Sequence, residues 1–259
     1  MAESLLKQKI EDRELTIGSW VTIGHGEVAE IMARAGFDWL TVDMEHSAIT
    51  LHQAQELIRV IDLCGVVPLV RVGENSPTLI KRVMDAGAHG VVVPMVNTVQ
   101  DAEAAVSAVK YPPVGNRGVG LARAQEYGLD FEKYRKWAEG ETIVIVQIEH
   151  IDAVEKLEEI LAVPGIDAFC VGQYDLSGSL GIPGQFEHPR FLESLDQIRR
   201  VAERTDAVCG YHVVPPHPQL VLDKIGEGYT FIAYSVDFLF LGETCRGDLK
   251  SIRRGSANS

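Results

Sequence analysis

The fold class this sequence predicts is α/β, a (β/α)8 TIM barrel, and three observations carry it. The chain has 259 residues, close to the ~250 typical of such a barrel. Eight short apolar, β-branched runs recur along it, and the stretches between them have the spacing of amphipathic helices. The runs are almost continuously hydrophobic, which suits strands covered on both faces and wrapped by helices. An open doubly wound sheet usually announces itself with a glycine-rich turn after the first strand, and Ile23-Gly24-His25-Gly26-Glu27 lacks the full spacing.

In chain order the predicted strands are 15–21, 39–43, 67–72, 90–95, 143–149, 168–172, 207–213 and 231–236. GEVAEIMARAG, LHQAQELIRVIDLCG, PTLIKRVMDAG and DAEAAVSAVK are helix candidates between them. Several close on the glycine favoured just past a helix end. Residues 111–129, YPPVGNRGVGLARAQEYGL, form the longest irregular stretch. Its glycines and arginines suggest a lid or substrate loop, with a solvated excursion as the alternative. No linker marks a second domain, so residues 1–259 are expected to be one barrel domain.

Composition narrows the function classes. An apolar fraction of 46% supplies a sizeable core, and 24% charged residues can clothe it. A net charge of −13 argues against nucleic acid, whose binding depends on Lys and Arg. An anionic substrate would need a local positive device, a metal ion or one well-placed arginine. Cys64, Cys170, Cys209 and Cys245 lie far apart without a CxxC pair, the pattern of reduced thiols. The charged start MAESLLKQKIEDRE has no apolar signal core, and no run reaches the ~18 apolar residues of a spanning helix. A cytoplasmic protein that binds neither membrane nor nucleic acid is expected.

In a barrel the chemistry stands where strands end. Here those ends are polar: Trp20 after the first, Asp43, Glu45 and His46 after the second, Arg71 after the third. Gln147 and Glu149 follow the fifth, Gln173 and Asp175 the sixth, and His212 the seventh. Glu149 and Asp175 would converge from neighbouring strands, and two such anions repel unless a cation or a shared proton lies between them. A hard divalent ion fits; pairing with helix-end or arginine donors is the structural alternative. An acid three residues before His46 could orient its imidazole as a general base, although a lone histidine is more often structural. Arg71 could stabilise a developing oxyanion or simply partner a mouth acid. Gly172 opens a turn whose amides could bind a carboxylate, or is needed only for the turn.

These residues in this order resemble the HpcH/HpaI family of class II pyruvate aldolases. The likeness spans most of the chain. It includes Gly18-Ser19-Trp20, Asp43-Met44-Glu45-His46, Val70-Arg71, Val93-Pro94-Met95-Val96, Tyr111-Pro112-Pro113, Arg117-Gly118-Val119-Gly120, Gln147-Ile148-Glu149 and Gly172-Gln173-Tyr174-Asp175-Leu176-Ser177. The resemblance implies a divalent metal ion, Mg²⁺, Mn²⁺ or Co²⁺, on Glu149 and Asp175, binding pyruvate through its keto and carboxylate oxygens. It implies that Arg71 contacts the keto oxygen and that backbone amides around Gly172, Tyr174 and Asp175 hold the carboxylate. His46, oriented by Asp43, would act with metal-bound water in proton transfer, and Gln147 would support the shell. Trp20, Arg123 in the long stretch and His212 are candidates on the substrate's other half. Lys81 and Lys110 fall on helix segments, so no Schiff-base lysine is expected.

The implied reaction is reversible cleavage of a 4-hydroxy-2-oxo acid to pyruvate and an aldehyde through a metal-stabilised enolate. Oxaloacetate decarboxylation by the same enolate and a catalytically silent acid-binding barrel are the alternatives. A thioester lyase would need a basic surface for coenzyme A, and none is evident. Relatives usually form homohexamers, trimers of dimers with exchanged C-terminal helices; residues 237–254, with Phe238 to Leu241, could supply such a contact. Two departures put the aldehyde in doubt: Gln173-Tyr174 replaces a familiar Pro-Ala pair, and His212 stands where familiar members look more apolar.

Overall fold

After a short helix α1 (Leu5–Glu11), the chain alternates strands and helices to its end. It runs β1 (Thr16–Val21), α2 (Gly26–Ala33), β2 (Trp39–Asp43), α3 (Leu51–Leu63), β3 (Val67–Arg71), α4 (Pro77–Asp85), β4 (Gly90–Val93) and α5 (Val99–Val109). A 3-10 helix (Arg123–Gly128) and α6 (Phe131–Glu141) precede β5 (Ile143–Ile148), α7 (Ile151–Glu155), α8 (Leu157–Leu161), β6 (Ala168–Val171) and α9 (Gln173–Ser179). Then come α10 (Pro189–Thr205), β7 (Cys209–Val213), α11 (Pro218–Gly226), β8 (Phe231–Val236) and α12 (Asp237–Ala257). The computed structural model describes residues 5–257.

All eight strands pair in parallel and in sequence order, and β8 closes on β1. The fourth strand stops at Val93, earlier than expected, because Pro94 has no amide to donate and Met95 adopts a left-handed φ of 52°. Helix starts are written locally: Thr50 with Gln53, and Thr98 with Asp101, form capping boxes on α3 and α5.

Inside the barrel the Trp39 ring stacks on Phe231 with centroids 4.5 Å apart. That ring occupies the space beside Gly18, where an added Cβ would lie 2.0 Å from Trp39 Cδ2. Helix α1 closes the end where strands begin. Its Leu6 and Ile10 are buried against the interior cluster, Lys7 pairs with Asp167, and Lys9 Nζ lies 2.6 Å from Asp38 Oδ1.

The long stretch 111–129 does not form a lid over its own barrel mouth. It joins the end of α5 to the helix before β5, so it lies at the end where strands begin, away from the mouth. It is anchored there by a buried Arg117, whose Nη1 donates to Tyr134 Oη at 2.8 Å and Nη2 to Asp85 Oδ1 at 2.6 Å. Gln125, also buried, donates to Tyr111 Oη at 2.9 Å.

At the opposite end, Asp237 ties α12 to the exit of β1 by accepting from the Thr22 and Ile23 amides, each at 2.7 Å. Beyond this first turn the helix leaves the barrel, and side chains 243–256 are all exposed. No helix among the described residues is long and apolar enough to cross a membrane. The four cysteines are free.

Candidate active site

The polar strand ends meet around a cavity of about 490 Å³ at the barrel mouth, reaching down toward Trp39 and Phe231. Asp43, His46, Arg71, Gln147, Tyr174, Asp175, Trp20, His212 and Gly172 all line it. Inward positions of successive strands converge because side chains alternate along each strand while the register staggers around the barrel.

Arg71 is the hub. Its Nε donates to Asp43 Oδ1 at 3.0 Å and its Nη2 to Asp43 Oδ2 at 2.6 Å, the two-pronged geometry that fixes a guanidinium. Its Nη1 donates to Gln147 Oε1 at 3.4 Å, its Nε lies 3.3 Å from Glu45 Oε2, and its plane covers the Trp20 ring at 4.3 Å. Burial raises the Asp43 carboxyl, but the Arg71 hydrogen bonds and charge, with the backbone amides of His46 and Glu45, outweigh it and hold the group below the usual range.

Those bonds correct one expectation. The Asp43 carboxylate accepts from the Glu45 and His46 amides at 3.0 and 3.2 Å and from Arg71, so it shapes the backbone of the turn and does not orient the imidazole. The His46 side chain is 60% exposed on the rim, and its Nε2 lies 3.6 Å from Glu45 Oε2. Glu45 is thus a member of this cluster to which sequence reading gave no role. One of its oxygens is buried without a hydrogen bond, and burial lifts its pKa, with Arg71 acting against that and Glu149 adding to it.

Glu149 is 2% exposed. It accepts from the Met95 amide at 2.6 Å and from Gln147 Nε2. Burial raises its carboxyl pKa against those two bonds, and the neighbouring Asp175 adds repulsion. Among the described residues neither carboxylate has a Lys or Arg at ion-pair distance, since Arg71 is engaged by Asp43 and Glu45. The Met95 amide is the second component that sequence reading missed. A backbone donor carries no residue signature, although Pro94 before it foreshadowed the strand's early end.

This donor set fits a divalent cation. The groups are hard oxygen ligands and the buried anion has no Lys or Arg at ion-pair distance; since no group of three or more His, Cys, Asp or Glu that could hold a metal ion occurs among the described residues, Glu149 and Asp175 alone would supply the protein ligands. Two carboxylates would leave the remaining positions to water or substrate oxygens, as Mg²⁺-type sites do. Gly172 is required by the Glu149 carboxylate itself: an added Cβ would sit 2.5 Å from Glu149 Oε2 and 2.7 Å from its Cβ. The Gly172 amide donates to Ile148 O at 3.0 Å, so it is not free to bind a ligand, which corrects the expectation for that residue. The first-turn amides of α9, at Gln173, Tyr174 and Asp175, have no intrahelical acceptor. The Tyr174 side chain is 64% exposed and packs edge-on against Phe186 at 4.9 Å.

Arg123 is not brought to this mouth. Its Nη2 donates to Asp62 Oδ2 at 2.6 Å and its Nη1 to Ala86 O at 3.3 Å, at the opposite end of its own barrel. No lysine lines the cavity among the described residues. Lys110 is turned onto the Ala138 and Glu139 carbonyls at 3.3 and 3.0 Å. His212, whose ring lies 5.7 Å from that of Trp20, completes the wall opposite Arg71.

Known proteins resemble this chain in sequence and in shape. The profile of the HpcH/HpaI aldolase/citrate lyase family matches residues 16–241. The chain is 38% identical over 226 residues to the 2-dehydro-3,6-dideoxy-6-sulfogluconate aldolase of Pseudomonas putida, covering 87% of this chain and 88% of that one. It is 35% identical over 246 residues to the 2-keto-3-deoxy-L-rhamnonate aldolase of Klebsiella pneumoniae, covering 94% and 91%. Among solved structures, an HpcH/HpaI aldolase/citrate lyase family protein from Burkholderia cenocepacia superposes with a TM-score of 0.90 at 32% identity, over 96% of this chain and 98% of the other. The chain therefore belongs to the HpcH/HpaI aldolase/citrate lyase family and is a carbon–carbon lyase of the class II aldolase type.

Proposed function

We propose that the chain, as one barrel domain, reversibly cleaves a 4-hydroxy-2-oxo acid into pyruvate and an aldehyde, with a divalent ion held by Glu149 and Asp175. The observation that carries this reading is the buried Glu149 carboxylate, set beside Asp175 with no Lys or Arg at ion-pair distance and linked through Gln147 to the rigidly held Arg71 of the mouth cavity. When bound, the ion supplies Lewis acidity toward the keto oxygen and stabilises enolate charge.

The chain's own residues do the rest. Arg71, pinned by Asp43, holds a fixed positive charge toward the same oxygen and need not reorganise as the enolate forms. Gln147 bridges Arg71 and Glu149, keeping the two groups in register. The Tyr174 and Asp175 amides receive the carboxylate of the 2-oxo acid. His46, on the rim beside Glu45, takes the proton from the 4-hydroxyl in cleavage and returns it in synthesis. Trp20 and His212 wall the space left for the aldehyde portion.

The test is aldol cleavage and synthesis across a panel of aldehydes with Mg²⁺, Mn²⁺ and Co²⁺ in turn, alongside oxaloacetate decarboxylation. Aldol turnover should exceed decarboxylation in kcat/KM, a chelator should abolish it, and borohydride with pyruvate should leave it intact. Irreversible borohydride inactivation, or activity that survives complete metal removal, overturns the reading. We further infer a homohexamer, a trimer of dimers with exchanged C-terminal helices, supported by the exposed Phe238, Leu241, Leu249 and Ile252 on α12. Light scattering of the full chain checks it, and a monomer refutes it.

A further inference from the structure

His212 puts a polar ring into the wall of the mouth cavity. It sits on β7 with its side chain in the mouth cavity, and its Nε2 lies 3.2 Å from the Ser235 carbonyl oxygen. A carbonyl can only accept, so Nε2 carries the proton and Nδ1 presents a lone pair. Burial, with the Arg71 charge as a smaller contribution, lowers the imidazole pKa to about 4 against the effect of the Ser235 bond, so the ring is neutral at neutral pH.

The carbonyl that sets this tautomer is itself aimed by the fold. The β1–β8 register shifts between Gly18 and Trp20, and Ser235, fully buried, takes a left-handed φ of 54° at that irregularity. A non-glycine residue in this region is strained and persists only when its surroundings hold it. Here the Ser235 hydroxyl donates to Val214 O at 3.0 Å and the Ser19 hydroxyl to Ser235 O at 3.3 Å. Two other residues of the same lining, Trp20 and Thr41, are register neighbours on β1 and β2, and each buries a polar atom, Nε1 and Oγ1, that has no hydrogen-bond partner among the described residues. A lining that presents a fixed acceptor beside unpaired hydrogen-bonding groups is matched to hydroxyl groups and mismatched to a bare alkyl chain.

We propose that His212 selects a hydroxylated reactant, its Nδ1 accepting a hydrogen bond from a hydroxyl either on the donor carbon that forms the bond or on the acceptor carbon adjacent to the one that does. This rests on the aldolase reading above and deepens it. The hydroxyl could belong to a 2-hydroxyaldehyde acceptor or to a 3-hydroxy-2-oxo acid donor, and two arms separate these sources.

In the first arm, pyruvate is condensed with glycolaldehyde or with acetaldehyde. In the second, hydroxypyruvate or pyruvate is condensed with acetaldehyde. The full-length metal-loaded protein is compared with His212→Leu, His212→Met and His212→Gln, two apolar variants guarding against one that fails to fold. In one arm kcat/KM for the hydroxylated reactant should fall about 10-fold or more in the apolar variants, the size expected when one buried hydrogen bond goes unmade. Any loss on its deoxy counterpart should be smaller, so that the hydroxyl-to-deoxy ratio falls. His212→Gln, which can accept through Oε1, should recover much of the preference. Equal hydroxyl-to-deoxy ratios in wild type and the apolar variants in both arms overturn the inference, as does equal loss on both reactants. If wild type fails even with pyruvate and acetaldehyde and does not exchange the pyruvate methyl protons, the aldolase reading falls and takes this one with it. Normal turnover with unaltered preference removes the His212 role alone.

Discussion

Replacing Asp43 by asparagine probes how the mouth is held together. Asp43 Oδ1 accepts from two backbone amides and from Arg71 Nε, while Oδ2 accepts from Arg71 Nη2 at 2.6 Å. An asparagine that keeps its oxygen on the amides must place its NH2 group where Oδ2 stood, so that donor faces donor. The Asp43 and Arg71 side chains are only 3% and 13% exposed, and breaking such a buried pair typically costs about 3–5 kcal/mol. Arg71 keeps Glu45, Gln147 and the Trp20 face, which argues for about 3 kcal/mol, the lower end of that range. With a urea slope of about 3 kcal/mol/M the unfolding midpoint should fall by about 1 M. A loosened guanidinium should also reduce kcat/KM by about 10²-fold.

Circular dichroism in urea and pyruvate release coupled to lactate dehydrogenase measure the two effects. The Asp43 carboxyl is depressed in the fold, so its contribution is present above the unfolded value of about 3.9 and is lost as pH falls through the lower folded one. The wild-type and Asp43→Asn midpoints should therefore converge in strong acid. A variant with an unchanged midpoint and unchanged kcat/KM at neutral pH would falsify the account of Arg71 as a group held in place by Asp43.

Three further outcomes follow from the same geometry. Gly172→Ala should displace the Glu149 carboxylate, whose Oε2 lies 2.5 Å from the added Cβ; the expectation is about 1–3 kcal/mol of lost stability and loss of metal-dependent turnover, and full activity refutes it. Glu149→Gln removes a buried charge but sets its NH2 against either the Met95 amide or Gln147 Nε2, so in chelator it should be no more stable than wild type, and it should lose the rise in melting temperature expected of wild type with Mn²⁺; an equal Mn²⁺ shift in both counts against the metal assignment. His89 and His212 are both lowered to about 4, chiefly by burial. Below the unfolded value of about 6.5 the unfolded chain binds protons that the fold refuses, so stability is full above that pH and falls as pH drops toward about 4. Urea midpoints at several pH values should show a shallower acid limb in His89→Leu than in wild type; an identical limb counts against the assignment.

Much of the architecture was legible because burial on both faces leaves a mark on composition. Trp39–Asp43 and Phe231–Val236 stand out as apolar runs at the bounds they have in the fold. The last residues of strands are harder, since strand pairing ends where a backbone donor is missing, as at Pro94, and hydrophobicity continues past that point. The stretch 111–129 misled because flexible-looking composition says nothing of which end of a barrel a connection reaches. An α-to-β connection must lie where strands begin, and Arg117 is buried there on Asp85 and Tyr134.

Within the site, the sequence by itself determined which side chains reach the mouth, because strand periodicity and parallel topology place Asp43, Arg71, Gln147, Asp175 and His212 at strand ends. What only the tertiary structure decided is how they divide among partners. Asp43 takes Arg71 and two amides instead of the His46 imidazole, Glu45 enters the cluster, and the Met95 amide and the space beside Gly172 cradle Glu149. The physical reason is that hydrogen bonds are specified over a few tenths of an ångström and include backbone groups that every residue shares. Residue type and spacing fix position along a strand, whereas the choice of partner depends on register, left-handed turns such as Met95 and Ser235, and burial that exists only once the barrel has closed.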